Sequence, residues 1–234
     1  QGNVVTTGSP STANVTVSIF VNPGAGTLIG TATVAAVNGV ATLSGLGINK
    51  TGTGYKLVAN SAPLAVAYSN AFNITAGVPA KIGITGPATV LSGSCSTAIT
   101  IQLQDMAGNP ANASANTTLN LSGLSAASLF TSSACAGAPV ASSIIFTTGS
   151  NTKTYYIKDN NSESIGFTVT DPASIMATGA LAVAFSPAQM TMTGPASVIA
   201  GHCSDPFLIS TAGASGTVGT TPVAIPITIT GFSG

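Results

Sequence analysis

The residues that could do chemistry in this chain are few and scattered. Charged residues make up 4% of its 234 residues, and His202 is its single histidine. A Ser-His-Asp or Cys-His arrangement would need His202, with Cys203 beside it and Asp205 close behind. Adjacent side chains of an extended chain point to opposite faces, so we interpret His202 as an exposed turn residue. The sequence predicts a protein that is not an enzyme, because acid–base catalysis needs a richer set of ionisable groups.

The same shortage of charge bears on ligands and partners. The acidic residues form neither a D-x-D nor a D-x-N-x-D loop, so we expect no metal or cofactor site. The formal net charge is zero, whereas nucleic acids and anionic lipids are bound by clusters of basic groups. Gly, Ser, Thr, Asn or Pro interrupts each apolar stretch before the ~18 residues that a membrane helix needs. The sequence therefore predicts no nucleic-acid partner and no membrane span.

The elements that would position any site are organised as a repeat. Three separated segments recur at an offset of 108 residues (187 − 79 = 108). The matched pairs are Pro79–Ile82 with Pro187–Met190, Gly86–Ala88 with Gly194–Ala196, and Gly93–Ser96 with Gly201–Ser204. This period is the size of a domain and exceeds the roughly 20 to 50 residues of solenoid units. We predict a complete domain at 79–186, the first strands of a further domain at 187–234, and a domain lacking its first strands at 1–78.

Within each repeat, polar and apolar residues alternate over short stretches. The period of two that half-buried strands require is seen in Ala13–Val21, Thr97–Gln104, Thr117–Leu121 and Gly166–Thr170. Turn clusters rich in Asn, Gly and Pro separate them, and no helical stripe is evident. About seven strands per ~100 residues favour an all-β fold of two-sheet Greek-key sandwiches. Aromatic residues that mostly occupy alternating positions are expected in the core, namely Phe20, Phe72, Phe130, Phe146, Phe167 and Phe185.

Several segments resemble a known family of repeats. They are Pro-Ala-Lys-Ile at 79–82, Gly-Pro-Ala at 86–88, TAITIQLQDMAGNPA at 97–111, Asn38–Leu43 and Gly52–Leu57. This order resembles the bacterial immunoglobulin-like repeats of invasin and intimin adhesins. The resemblance implies tandem immunoglobulin-like Greek-key β-sandwiches on an extracellular bacterial cell surface. It also implies a tyrosine corner at Tyr55, which would tie its strand to an upstream turn, with Tyr155 in the matching place of the second repeat.

The three cysteines fit a secreted protein with one disulfide. Cys95 and Cys135 lie within one repeat, and no C-x-x-C spacing suggests a structural metal. We expect an intradomain Cys95–Cys135 bond, which would imply an oxidising compartment. Cys203 occupies the position equivalent to Cys95, and its expected partner would lie beyond residue 234. Cys203 is therefore unpaired or its partner is missing, with a buried free thiol as the simpler interpretation.

Two classes of function follow from a fold without catalytic groups. The first is a non-enzymatic extracellular structural and adhesive protein, whose modules form a surface stalk or fibre. Its partners would be neighbouring immunoglobulin-like domains or identical subunits arranged head to tail. The alternative is a ligand-binding module that recognises a glycan, or a protein on a host or prey surface, through loops at one end of the sandwich.

The incomplete repeats at the two ends suggest a way to assemble. An open sandwich leaves a sheet edge that a strand from another chain can fill, and a head-to-tail contact of this kind generates a filament. The front strands at Pro187–Ser210 would complete residues 1–78 of the next subunit. The candidate donor residues are Pro187, Met190, Met192, Val198, Phe207 and Ile209. The competing interpretation is completion in cis by sequence outside these residues, which the duplicated strand at Ala13–Val21 and Val223–Thr230 favours.

Overall fold

The alternating pattern folds into strands throughout the part of the chain that the structure describes. The structure is a computed structural model and describes residues 4–216. Its regular elements are strands and one 3₁₀ turn at Ser9–Thr12, so the all-β prediction is confirmed. The chain divides into two compact units. The first holds residues up to Gly77 together with Asp105–Asn109, and the second holds Val78–Gln104 and the residues from Pro110 onward.

The first unit contains seven strands in two sheets. They are β1 (Asn14–Val21), β2 (Leu28–Ile29), β3 (Thr33–Ala35), β4 (Gly47–Ile48), β5 (Gly52–Asn60), β6 (Ala67–Tyr68) and β7 (Phe72–Ile74). The larger sheet has the order β3-β1-β5-β6, and β7 also pairs with β5. The smaller sheet consists of β2 and β4.

The second unit contains a two-sheet sandwich followed by a hairpin. Its strands are β8 (Lys81–Thr85), β9 (Thr89–Leu91), β10 (Ile99–Gln104), β11 (Thr117–Ser122), β12 (Ser128–Phe130), β13 (Ser143–Phe146), β14 (Thr152–Lys158), β15 (Ser164–Thr170), β16 (Gly179–Ser186), β17 (Gln189–Thr193) and β18 (Leu208–Ala212). One sheet has the order β12-β14-β10-β8 and the other β13-β11-β15-β16-β9. Strand β9 runs parallel to β16, and β17 pairs antiparallel with β18.

The core of the second unit lies between its two sheets. Ile99, Ile101 and Leu103 of β10 are fully buried, whereas Thr100 and Gln102 between them are half-exposed. This is the alternation that the sequence predicts for a strand with one face on the core. Phe167 of β15 and Phe185 of β16 belong to the same buried cluster.

The two units share a pattern of strand pairing. Strand β1 pairs with β3 and β5 as β11 pairs with β13 and β15. Likewise β2 pairs with β4 as β12 pairs with β14. The first unit therefore contains counterparts of β11 to β15. Among the described residues it has no strand in the places of β8, β9 and β10. The three-domain division at residues 79 and 187 stays a prediction.

One expectation about a core aromatic residue is wrong. Phe20 is 56% exposed and packs beside Tyr68, with ring centroids 4.6 Å apart and the rings tilted by 53°. Phe20 lies on the same face of β1 as the exposed Thr16 and Ser18, opposite the buried Val17, so the alternation along the strand itself points Phe20 outward. Of the other five phenylalanines, four are buried and Phe72 is half-buried.

Within residues 4–216, a tyrosine corner forms in the first unit and not in the second. The hydroxyl of the fully buried Tyr55 donates to the carbonyl of Lys50 at 2.9 Å. Tyr155, expected in the matching place, instead lies on β14, opposite Ile99. The residue that follows a glycine on the corresponding strand β15 is Phe167, which has no hydroxyl. Tyr155 matches Tyr55 in residue type but lies on a different strand. A tyrosine corner requires the tyrosine to lie on the strand equivalent to β5.

Candidate functional site

The residues closest to a catalytic combination lie in an exposed connection. His202, Cys203 and Asp205 are all exposed between β17 and β18, where the His202 backbone N–H donates to the carbonyl of Ile199 at 3.1 Å. Within residues 4–216, no three His, Cys, Asp or Glu side chains are grouped so that they could hold a metal ion. No helix in that same range is long and apolar enough to cross a membrane.

A disulfide joins two connections of the second unit. Cys95, just before β10, is bonded to Cys135, and their Cα atoms are 5.6 Å apart. Cys135 lies in the long connection between β12 and β13, where its backbone N–H donates to Ser132 at 2.9 Å. The bond therefore anchors that connection to the sandwich. Cys203 is a free and exposed thiol, so the expectation of a buried thiol is wrong.

A pair of carboxyl groups lies in the connection between β14 and β15. Asp159 is 2% exposed, and its Oδ1 accepts the Asn161 N–H at 2.8 Å. Glu163 Oε2 accepts the Ser125 hydroxyl at 3.0 Å. The other two oxygens, Asp159 Oδ2 and Glu163 Oε1, are buried without a hydrogen-bond donor. Burial and then the neighbouring Glu163 carboxyl raise the pKa of Asp159 to about 6. A proton on Asp159 Oδ2 would supply the donor that both oxygens lack.

No sequence motif marks this carboxyl pair. The only available signal was the proximity of two acids in a chain that has five. Period and composition do not reveal that both side chains turn inward at the end of a strand. Within residues 4–216 the pair belongs to no group of three or more side chains that could hold a metal ion, so we interpret it as a structural element.

The same connection anchors the segment that follows β18. The Asp159 carbonyl accepts the Gly93 N–H at 2.6 Å, and the Ser92 hydroxyl in turn accepts the Ala214 N–H at 3.0 Å. The Ser215 N–H donates to the Asn160 carbonyl at 3.0 Å. Hairpin β17–β18 is thus attached to the sandwich at its C-terminal base.

A second buried acid organises the first unit. Asp105 Oδ1 accepts the Asn109 N–H at 2.8 Å, and Oδ2 accepts the Asn109 amide at 2.9 Å and the Gly77 N–H at 3.1 Å. The same amide also donates to the Asn49 carbonyl at 3.0 Å. Burial alone would raise the pKa of Asp105, but these hydrogen bonds outweigh it and hold the pKa below its usual value. Asp105 is therefore an ionised structural anchor.

The first unit leaves apolar surface open between its sheets. One groove of about 130 Å³ is lined mainly by Leu28, Leu46, Ile48, Leu57, Phe72 and Ile74. A second groove of about 340 Å³ is lined by Val17, Leu43, Leu46, Leu57, Ala59, Ala67 and Tyr68, with Ser69. Leu46 and Leu57 line both.

The candidate donor residues are mostly exposed. Met190, Met192, Val198, Phe207 and Ile209 all have exposed side chains. Pro187 is buried, because it follows β16 directly and remains packed in the sandwich. Pro187 is therefore removed from the set of donor residues.

A further groove lies on the second unit itself. It has a volume of about 500 Å³, and its lining includes Leu103, Asn116, Thr118, Ile175 and Met176. The Asp171 carboxylate shapes one wall by accepting the backbone N–H groups of Ala173, Ile175 and Met176. This groove combines apolar lining with amide and hydroxyl groups, which is the composition of small-ligand sites.

Comparisons with known proteins give structural likeness without sequence likeness. No protein-family model and no curated protein matches the chain. Similar solved structures include a glycosyl hydrolase family 2 member from Bacteroides cellulosilyticus (16% identity, TM-score 0.38, 75% of this chain and 22% of that one). They also include the adhesin InvE of Yersinia pseudotuberculosis (13%, 0.32, 74% and 48%) and domains 1–6 of surface layer protein SbsC (11%, 0.31, 94% and 25%). The chain thus spans about a fifth of the length of that glycosyl hydrolase.

Proposed function

We propose that this chain is a non-enzymatic extracellular structural and adhesive protein, built from immunoglobulin-like modules of the bacterial adhesin kind in a surface stalk or fibre. The observation that carries the proposal is the restart of the module. Hairpin β17–β18 has the register of the β8–β10 pair shifted by 108 residues, with Ile101 opposite Ile84 and Ile209 opposite Met192. A module that restarts in the same register supports a tandem array of such modules.

Two further observations support the extracellular surface. The Cys95–Cys135 bond is of a kind that persists in oxidising compartments. The near absence of charge, with Ser, Thr, Asn and Gly as the polar bulk, keeps repulsion between neighbouring modules small. Neither the disulfide nor the low charge depends on an active site, so both are compatible with a structural role.

The test of the structural role is to pull on single molecules. The sandwich of the second unit should unfold in a discrete step, because its core and sheets break cooperatively. The disulfide locks a separation of 40 residues, so reduction should add about 14 nm to the length released, at ~3.6 Å per residue. A Cys95→Ser/Cys135→Ser variant should release the longer length without reductant. A chain that extends with no discrete step, or that cleaves a glycoside, would overturn the proposal.

A second candidate function is ligand binding, which the groove at Leu103 and Met176 favours. Its volume of about 500 Å³ lies within the roughly 300 to 1,000 Å³ of ligand pockets. A glycan array probed with the labelled chain should show binding that Asn116→Ala removes and that Asn14→Ala, on the first unit, leaves unchanged. Equal signals from both variants would exclude this groove as the site.

A further inference from the structure

Hairpin β17–β18 is attached to the sandwich of the second unit on two sides. Its first strand follows β16 after two residues, so the chain itself ties that side. The other side, just after β18, rests on the connection between β14 and β15. The Ser215 N–H donates to the Asn160 carbonyl at 3.0 Å, and the Ser215 hydroxyl donates to Asn161 Oδ1 at 3.1 Å. A Cβ on Gly213 would collide with the Asn160 carbonyl, so the two segments lie in close contact.

The turn after β9 links the same two segments a second time. The Gly93 N–H donates to the Asp159 carbonyl at 2.6 Å, and the Ala214 N–H donates to the Ser92 hydroxyl at 3.0 Å. The connection after β14 therefore holds the segment after β18 both directly and through this turn. Residues 92–93, 159–161 and 213–215 are together called the hairpin base below.

The hairpin base contains a carboxyl group that is costly to ionise. Asp159 is 2% exposed, and its Oδ2 is buried without a hydrogen-bond donor, as is Glu163 Oε1. A proton on Asp159 Oδ2 removes the deficit of both oxygens. Two ionised carboxylates would repel each other, and each would keep a buried oxygen without a donor. Ionisation therefore favours an arrangement that brings Asp159 to water.

The segments packed against this pair bring no compensating charge. Their contacting residues are not titratable, and they are Ser92, Gly93, Ser125, Phe185 and Gly213–Ser215. Lys158, the last residue of β14, is half-exposed. Burial and then Glu163 raise the pKa of Asp159 to about 6, and Glu163 is the only charged group among the described residues that contributes. The pair itself therefore decides when the hairpin base becomes charged.

We propose that the hairpin base is a pH-dependent latch, which holds the end of β18 on the sandwich while the carboxyl pair carries a proton and opens when both carboxyls are ionised. Asp159 is buried, so its carboxylate reaches water by a movement of residues 159–161. That movement breaks the bonds that Gly93 and Ser215 donate to the carbonyls of Asp159 and Asn160. The side of the hairpin that follows β16 stays tied, so the joint loosens and the two parts do not separate. The inference concerns contacts within the second unit and does not rest on the proposed structural role.

The size of the effect follows from proton linkage. The open latch restores the ordinary pKa of 3.8 to Asp159, whereas the closed latch has a pKa of about 6. The ratio of open to closed molecules should therefore rise by about fiftyfold from pH 4 to pH 8. Hydrogen exchange measured by NMR on the full chain reports this ratio at the amides of Gly93, Ala214 and Ser215. Their protection, corrected for the intrinsic exchange rate at each pH, should fall by the same factor.

Low concentrations of urea separate latch opening from unfolding of the whole unit. A local opening exposes little surface, so exchange at the latch amides should be insensitive to urea below ~1 M. The amides of Ile101 and Leu103 in β10 should instead lose protection as urea is added, because they exchange by unfolding of the sandwich. Latch amides whose protection is independent of pH, or which follow the β10 amides in urea, would overturn the proposal.

Four variants test the assignment to the carboxyl pair. Asp159→Asn should give the latch amides a protection that is independent of pH, and Glu163→Gln should leave a reduced dependence because burial remains. Ser92→Ala removes the acceptor of the Ala214 N–H, so Ala214 should exchange faster at every pH while Ser215 keeps its pH dependence. Asp205→Asn, which removes an exposed carboxylate, is the matched control and should behave like the unmodified chain. Full pH dependence in both Asp159→Asn and Glu163→Gln, with unchanged circular dichroism, would show that another group controls the hairpin base.

Discussion

Replacing Asp159 by Asn should abolish a pH dependence that the stability of the second unit carries between about pH 4 and pH 7. The pKa of Asp159 is raised from 3.8 to about 6, by burial and then by the Glu163 carboxyl. The folded protein therefore holds this proton more tightly than the unfolded chain does. The resulting stabilisation is complete below pH 3.8 and is lost as the pH rises through 6.

The size of the effect follows from the difference between the two pKa values. One pKa unit corresponds to about 1.4 kcal/mol, so a rise of about two units makes the folded protein about 3 kcal/mol less stable above pH 7 than below pH 4. In Asp159→Asn the amide oxygen still accepts the Asn161 N–H. Its Nδ2 supplies the donor that Glu163 Oε1 lacks. The free energy of unfolding of this variant should therefore be nearly flat across the range and higher than that of the unmodified chain at pH 8.

The measurement is equilibrium urea unfolding followed by far-ultraviolet circular dichroism at half-unit steps from pH 4 to pH 8. Asp205→Asn is the matched control, because it removes an exposed carboxylate and should keep the full slope. Glu163→Gln should reduce the slope without abolishing it, because burial, the larger cause, still raises the pKa of Asp159. An unmodified chain whose stability rises or stays constant over this range would refute the raised pKa of Asp159. So would an equal loss of slope in Asp205→Asn.

Three further predictions concern stability and covalent structure. Peptide mass spectrometry without reduction should find Cys95 bonded to Cys135, and Cys135→Ser should cost about 4 kcal/mol for a loop of this length; two free thiols would contradict the pairing. Ile101→Ala should cost about 2 to 5 kcal/mol in reversible unfolding, whereas Gln102→Ala should cost less than about 0.5 kcal/mol; equal losses would mean a wrong register. Because the folded pKa of Asp105 is lowered, the first unit should lose stability as the pH falls below about 4. Asp105→Asn should remove that acid sensitivity, and hydrogen exchange at the Gly77 amide would reveal it.

Repetition made much of the fold predictable from the sequence. The offset that aligns Pro79 with Pro187 also aligns the strand registers, since Ile84–Ile101 and Met192–Ile209 are equivalent cross-strand pairs. Period-two alternation identified the buried face of β10 because a strand with one covered face has little freedom in which residues it buries. Both signals follow from the regular geometry of a β-strand and require no knowledge of tertiary contacts.

Sequence patterns did not reveal the features that depend on contacts between strands. Phe20 is exposed because it lies on the outer face of β1 with Thr16 and Ser18, where it packs beside Tyr68 of β6. Tyr155 matches Tyr55 in type, but Phe167 occupies the equivalent strand. The carboxyl pair at Asp159 and Glu163 forms where two strand ends and the Ser125 turn converge. These arrangements are set by tertiary contacts, which composition and sequence periodicity do not reveal.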